Sequence, residues 1–487
     1  RSTPFDDIAT AVRVRRLATA ALVAAGGADA ALVRESRNDP DVEVRRLSIM
    51  AARVQDSLDD RSQIILVALR DSSAQVRYEA LGAYGRWLQP TFGCGPVQSA
   101  AIDANPHVAM LAIDLLGNGC VQGESPLGVL QGLVAELPSS YTDTWHLSAH
   151  ALVSLAKVAP RTAESVVDDF ARHPVWQLRM YAARTASELK ALDQLRQLAF
   201  DSHHNVRQAA IAELQRLSVP DAHSIYIAAL QGDDYQLLRT AANGLDAGAG
   251  AANAVPALLS ALKRITEQQR ETSRDPRMAI VGALIRFGVA VPTTELEPYL
   301  RDFDSAVAGR IAEALTSQTG NTHTPKPTLL PRLPLPTPDE TSALDATRAV
   351  LHMDGGGEIE LRLLGSEAPT NAARFVRLAR SGYFDGLTFH RVVPNFVIQG
   401  GSPGANEYAG DGPYTRDELT ARPHLRGTVG ISTRGRDTGD AQIFVNLVDN
   451  VRLDYNYTIF AEVSAGMNVV DAVLEGGTIE RITFHEQ

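Results

Sequence analysis

Phe389-His-Arg-Val-Val-Pro-Asn-Phe-Val-Ile-Gln-Gly-Gly401 is the stretch that decides the fold of the last third of this 487-residue chain. It reads as two short apolar runs of strand character. Pro394-Asn395 separates them, because proline fixes φ and offers no N–H to a ladder. Neighbouring strand residues face opposite sides, so His390 and Arg391 are expected to point apart. Upstream, alternating residues on either side of Asp354-Gly355-Gly356-Gly357 predict a β-hairpin. That glycine run lacks the lysine and helix of a phosphate loop. Next, Ala368-Pro-Thr-Asn-Ala-Ala-Arg-Phe375 predicts a helix with Thr370 as its cap and Phe375 and Leu378 turned inward. Gly382-Tyr-Phe-Asp-Gly386 is a turn back into strand.

Further segments follow in a set order: Gly427-Thr-Val-Gly-Ile-Ser-Thr433, Ala441-Gln-Ile-Phe-Val-Asn446, Leu453 to Val463, and Gly466-Met-Asn-Val-Val-Asp471. With the Phe389–Gly401 stretch, these resemble the cyclophilin-type peptidyl-prolyl cis-trans isomerases across residues 346–486. The resemblance implies a closed eight-stranded antiparallel β-barrel with two capping helices. Short strands with glycine at the corners permit the same fold independently.

The resemblance also implies a reaction. An X-Pro amide keeps partial double-bond character, with a rotation barrier of about 20 kcal/mol. Catalysis must favour the twisted amide over both planar forms. It calls for a donor aimed at the amide, an apolar slot for the ring and bonds to the flanking backbone; no cofactor or metal is expected. Arg391 matches the catalytic arginine, whose guanidinium donates to the prolyl nitrogen as that atom regains its lone pair. Phe396 and Gln399 match its catalytic companions. Gln399 orients the arginine and bonds to substrate backbone. Val397, Phe444 and Leu453 match the proline pocket, and Tyr457 its rim. Ser432 and Thr433 match the strand that pairs with the residue before proline, and Gln442 matches a second groove glutamine. His390 is assigned a structural role.

Departures from the family pattern are Ser432 for alanine, Val397 for methionine or leucine, Ile443 beside Phe444, and Arg452 where an aromatic residue contacts inhibitor. They imply weakened affinity for cyclosporin-like ligands. The loop Ser402–Pro423 is also unusual. It carries Glu407, Asp411, Asp417 and Glu418, and is expected to alter client preference.

Residues 318–345 contain prolines 325, 327, 331, 334, 336 and 338 and read as an extended linker outside helix or sheet, with Leu329, Leu330, Leu333 and Leu335 available to lie against the preceding part. Residues 1–317 repeat themselves. Asp39-Pro-Asp-Val-Glu-Val-Arg45 returns as Asp71-Ser-Ser-Ala-Gln-Val-Arg77. His173 to Arg179 returns as Asp201-Ser-His-His-Asn-Val-Arg207, and Asp234 to Arg239 is a further copy. A period of about 30 residues signals stacked helix pairs. In each unit an Asp or Asn is expected to cap the second helix, a valine or leucine to enter the core, and the arginine to bond to a neighbouring Asp or to loop carbonyls. Ala51, Ala52, Ala80, Ala209 and Ala210 permit close packing. The pattern resembles HEAT-like repeats and implies an all-α solenoid with an extended surface for a protein partner. Trp145 and Trp176 are assigned to core, and His203-His204, Asp168-Asp169 and Asp233-Asp234 to solvated helix ends.

Hydrophobic residues at 45% and charged residues at 21% supply cores for several domains. A formal charge of −11 gives no nucleic-acid footprint. No apolar run is long enough to span a membrane. The expected division is thus a solenoid over 1–317, a linker over 318–345 and an isomerase domain over 346–487, acting on proline-containing protein clients. The alternative is a proline-binding or scaffold module without turnover. Cys94 and Cys120 lie in glycine-rich turns, and spacing leaves open whether they bond or remain thiols. The absent initiator methionine and a possible bond lean towards a processed chain in a bacterial periplasm or cell envelope rather than cytoplasm.

Overall fold

The computed structural model describes residues 10–26, 33, 35–52, 58–121, 123–137, 144–246 and 250–486. The opening Arg1-Ser2-Thr3 lies outside them. Contacts divide the chain into two units: Arg1–Leu189 with Val393–Val397 and Asn446–Asn450, and Lys190–Val392 with Ile398–Val445 and Val451–Gln487.

In the first unit the helices include Thr10–Ala25, Val42–Ala52, Ala74–Trp87 and Pro106–Leu116. Their order follows from one turn used repeatedly. Arg45 donates to Asp71 of the next copy at 2.8 and 3.0 Å, and also to the carbonyl of Asp39 at the start of its own copy at 2.9 Å. Arg77 repeats both bonds, to Asp103 and to the Asp71 carbonyl. Arg15 reaches Asp39. Both partners expected for the arginine are therefore used at once. Asp234 caps its helix as expected, but the motif aspartates Asp71 and Asp103 do not. Asp71 accepts from Ser73 N–H and Asp103 from Asn105 N–H, two residues on. Ser73 and Asn105 are the N-caps, and Asn105 accepts from His107 and Val108 N–H. The aspartate closes the turn before the helix, so its Oδ can serve that turn and the arginine together. Val44, Val76, Ala52 and Ala80 are buried as the pattern requires. Trp145 is core, stacked on His146.

Two segments distant in sequence belong to this unit. Asn395 adopts φ +55° and donates to the Gln75 carbonyl at 2.9 Å, and Gln75 donates to the Leu447 carbonyl at 2.9 Å. Arg16 bonds to both Asp41 and Asp449.

The second unit carries the helices His204–Arg216, Tyr235–Asn243, Ala251–Glu267, Arg274–Phe287 and Ser305–Thr319. Arg277 and Asp302 form an ion pair with both side chains fully buried, and the Phe303 ring lies against the guanidinium. Several side chains expected in solvent are not there. Asp234 caps Leu237 N–H with only 8% of its side chain exposed, whereas Asp233 is solvated. The rings of His203 and His204 stack at 4.6 Å. His203 caps its own helix and His204 contacts the Gly404 carbonyl at 2.9 Å.

The proline-rich segment has no regular structure from 322 to 337, as expected. It is held by Lys326 N–H on the Leu300 carbonyl and Thr328 N–H on that of Arg301; Leu329 and Leu335 stay exposed. Its end departs from expectation, because Pro338–Ala346 is a helix closed by a Thr337–Glu340 capping box. Pro338 fits there because the first helical turn needs no N–H from it.

The strands are β1 Thr347–Met353, β2 Glu358–Leu363, β3 Thr388–Phe389, β4 Arg391–Val393, β5 Val397–Gly400, β6 Thr428–Ile431, β7 Ile443–Asn446, β8 Ile459–Ala465 and β9 Gly477–Glu486. They form one antiparallel sheet in the order β3-β9-β1-β2-β8-β6-β7-β5-β4, a nearly closed barrel. Nine strands replace the eight expected. The extra one arises at His390, which interrupts what would otherwise be one strand; its halves β3 and β4 are the two ends of the order, so the sheet curls back on itself. The predicted hairpin is β1–β2, with Leu351 opposite Ile359. The two short helices are Pro369–Arg380 and Met467–Ala472. Phe375 packs on Phe384 and Phe460 at 5.4 and 5.1 Å. Thr370 does not cap its helix. Glu418 does, accepting from Thr370 and Asn371 N–H at 2.9 Å each, since a carboxylate can take both orphan donors and complements the helix dipole.

Cys94 and Cys120 are joined as a disulfide, with Cα atoms 5.4 Å apart. Closing a loop over 26 residues removes unfolded-state freedom worth about 3 kcal/mol. Cys94→Ser with Cys120→Ser is therefore expected to lower the unfolding free energy of the first helical unit by that order, read by denaturant titration. An unchanged midpoint would count against a stabilising bond.

Candidate active site

The sequence-derived site residues fall on both units, Phe396 and Val397 in the first and the remainder in the second. In the second unit the organising group is Gln399 on β5, 7% exposed. A buried carboxamide must satisfy its oxygen and its NH₂ separately. Its Oε1 accepts from Arg391 at 3.3 Å, while its Nε2 donates to Ser432 Oγ and Gln442 Oε1 at 3.0 Å each. The amide orientation follows from this: reversing it would set NH₂ against the guanidinium. Arg391 stands on β4 with 37% of its side chain exposed.

Gln442 is fully buried at the start of β7. Its Nε2 donates to the carbonyls of Glu407 and Ala409 at 2.9 Å, and its carbonyl accepts Ser432 N–H at 2.9 Å. It ties the strand edge to the Ser402–Pro423 loop. Asp440, two residues earlier, accepts Gln442 N–H and pairs with Arg434 at 3.1 Å. Burial pushes the Asp440 carboxyl up, and Arg434 opposes that shift.

Phe444 and Tyr457 form the apolar wall. Their rings meet edge to face at 5.7 Å, with Phe444 buried and Tyr457 half-buried. Gly430, opposite Phe444 on β6, makes room: a Cβ there would lie 2.4 Å from the Phe444 ring. His424 stacks behind Phe444 at 6.1 Å and is anchored by Asp454. Burial lowers the His424 pKa and Asp454 partly restores it. Leu453 is half-buried in the turn Val451–Leu453, and Thr433 is half-buried beside Ser432. In the first unit, Val397 is 3% exposed and Phe396 half-buried. The Phe396 carbonyl accepts from Leu447 N–H and Asn450 Nδ2 at 2.9 Å each, which fixes the backbone under its ring.

The loop acids have separate duties. Asp411 pairs with Arg374, Glu418 caps a helix, and Asp417 accepts Asp437 N–H. Glu407 lies 3.3 Å from Arg391 Nε. Sequence reading marked this loop without distinguishing among its acids, and it missed Arg434, Asp440 and His424. No spacing signal joins those residues, because only folding brings them together.

Residues 348–484 match the model of the cyclophilin type peptidyl-prolyl cis-trans isomerase family. A peptidyl-prolyl cis-trans isomerase of Helicobacter pylori is 38% identical over 132 residues, which are 26% of this chain and 81% of that protein. Peptidyl-prolyl cis-trans isomerase B of Bacillus subtilis is 33% identical over 27% of this chain and 92% of its own. A solved cyclophilin type isomerase of Cryptosporidium parvum is 23% identical, with a TM-score of 0.28, over 29% of this chain and 98% of its own.

His390 illustrates how this environment acts on a titratable group. Burial, then the adjacent Arg391 charge, lower its pKa to about 4. The folded protein therefore holds it neutral while the unfolded chain protonates near 6.5. Its contribution to stability is complete above pH 6.5 and is lost as pH falls towards 4. Allowing for partial exposure, that loss is about 2 kcal/mol. His390→Gln should flatten the decline in unfolding free energy between pH 6.5 and 4.5, measured by denaturant titration. An identical decline in both proteins would contradict the assignment.

Proposed function

Because the chain belongs, through residues 348–484, to the cyclophilin-type peptidyl-prolyl cis-trans isomerases, we propose that Arg391 is its catalytic donor and that X-Pro bonds of protein clients are its substrates. The observation that carries this reading is the bond from Arg391 to a Gln399 whose own amide is held by Ser432 and Gln442. A guanidinium fixed in advance donates to a developing lone pair without first reorganising. The chemistry needs no covalent step. The prolyl nitrogen loses conjugation as the amide twists, and an Arg391 N–H stabilises the lone pair that results.

In this reading Phe444 and Leu453 receive the proline ring and Tyr457 covers it, its hydroxyl meeting a substrate carbonyl. Ser432 and Thr433 offer strand backbone to the residue before proline. Residues 1–317 serve as a HEAT-like docking solenoid for the client, residues 318–345 join it to residues 346–487, and tethering raises the local concentration of the second site. The Cys94–Cys120 bond supports an oxidising compartment such as a periplasm or cell envelope. Among the described residues no helix is long and apolar enough to cross a membrane.

A protease-coupled or magnetisation-exchange assay on an X-Pro peptide tests the reading. The full chain should exceed the spontaneous rate, and Arg391→Ala should lower kcat/KM about 100-fold, the scale of one lost preorganised donor, with the fold retained by circular dichroism. A folded wild-type protein at the background rate would favour the binding-module alternative. An active Arg391→Ala variant would remove the assigned role while leaving the family intact.

A further inference from the structure

Glu407 sits beside Arg391, and its loop is seated on residues of the helices His204–Arg216 and Tyr235–Asn243. Its carboxylate is half exposed, 3.3 Å from Arg391 Nε. Its carbonyl accepts from Gln442 Nε2 at 2.9 Å and from Arg434, and its N–H faces Gln236 Oε1 at 3.4 Å. The residues just before it are seated on the helices His204–Arg216 and Tyr235–Asn243. Asn406, 5% exposed, donates to Asp234 Oδ2 at 2.9 Å and Asn205 Oδ1 at 3.1 Å. Asn205, 4% exposed, donates to the carbonyls of Gly404 and Ala405 at 3.0 and 3.2 Å. A Cβ on Gly404 would stand 2.8 Å from Asn406 Nδ2 and 3.2 Å from Asp234 Oδ2, so a side chain there would push on both positioning groups. Ala405 adopts φ +48°, a conformation that its surroundings must enforce. Further along, Tyr408 lies between Arg239 and Arg434, Tyr414 N–H donates to Glu271, and Arg434 pairs with Asp275.

We propose that Glu407 determines charge specificity at the prolyl site, selecting clients with a basic side chain beside the proline, and that Asn205, Asp234 and Asn406 are its positioning residues. The proposal rests on the reading of Arg391 as the substrate donor. An exposed arginine alone would attract acidic side chains. A carboxylate beside it cancels that pull, and a basic side chain placed next to Glu407 gains a local attraction that an acidic one lacks. Because both groups are partly solvated, the effect is modest and sensitive to salt.

The test measures kcat/KM of the full chain by magnetisation exchange on three otherwise identical peptides, with Lys, Ala or Glu two residues before proline, and on a second set varied at the residue after it. At low salt the Lys peptide of at least one set should exceed its Glu counterpart about tenfold, and 0.5 M salt should shrink the ratio. Glu407→Gln should bring the ratio to parity or below, and Glu407→Asp should keep part of it. Asn406→Ala should lower the ratio in the same direction while still turning over the Ala peptide. If Asn406→Ala does not fold, Gln236→Ala replaces it. Equal ratios in wild type and Glu407→Gln would overturn the proposal. A uniform rise on all peptides in Glu407→Gln would also overturn it, showing a carboxylate that merely competes for Arg391. An unchanged ratio in a folded Asn406→Ala would remove the helices from it. No turnover of any peptide by wild type would instead defeat the isomerase reading itself.

Discussion

A buried carboxamide has nowhere to place its hydrogens except in partners, and Gln399 places the whole site under that constraint. Its oxygen is committed to Arg391, and its NH₂ to Ser432 and Gln442. Gln442 is in turn committed to the Glu407 and Ala409 carbonyls, and its N–H to Asp440, which answers to Arg434. Gln399, Gln442 and Asp440 are buried enough that losing a partner leaves an unsatisfied polar group. The partner of the guanidinium thus stands at one end of a chain of contacts whose other end is Asp275, on the helix Arg274–Phe287.

Much of this was legible in order but not in depth. The Phe389–Gly401 stretch carried both Arg391 and Gln399, and it was the family resemblance of that stretch, not their spacing, that implied their meeting. The β1–β2 hairpin was local. The strand count was not, because the break at His390 follows from how a curved sheet closes. Thr370 looked like a cap by position, yet a carboxylate from 48 residues downstream took both donors. Asp234 and His204 looked like solvated helix ends because nothing in the repeat announces that a loop 200 residues away will cover them. Sequence patterns encode periodic burial well. They encode poorly which polar group will answer which.

The repeat arginines show the same limit from the other side. Periodicity revealed the Val-Arg step and suggested two kinds of partner. Only the folded turn shows that Arg45 uses both, with Asp71 shared between its own turn and the previous arginine. The motif aspartates Asp71 and Asp103 sit two residues before the N-cap of their helices, Ser73 and Asn105.

That arrangement bears on how the chain is made. Arg15 finds its carboxylate 24 residues further along, and Arg45 and Arg77 find theirs 26 residues on. Of the bonds made by Arg45 and Arg77, those to the carbonyls of their own copies are the ones whose partners have already emerged when the arginine does. Each copy stays incomplete until the next turn has left the ribosome. The ladder then closes in the direction of translation, one rung per repeat, so the newest copy is always the one awaiting its successor.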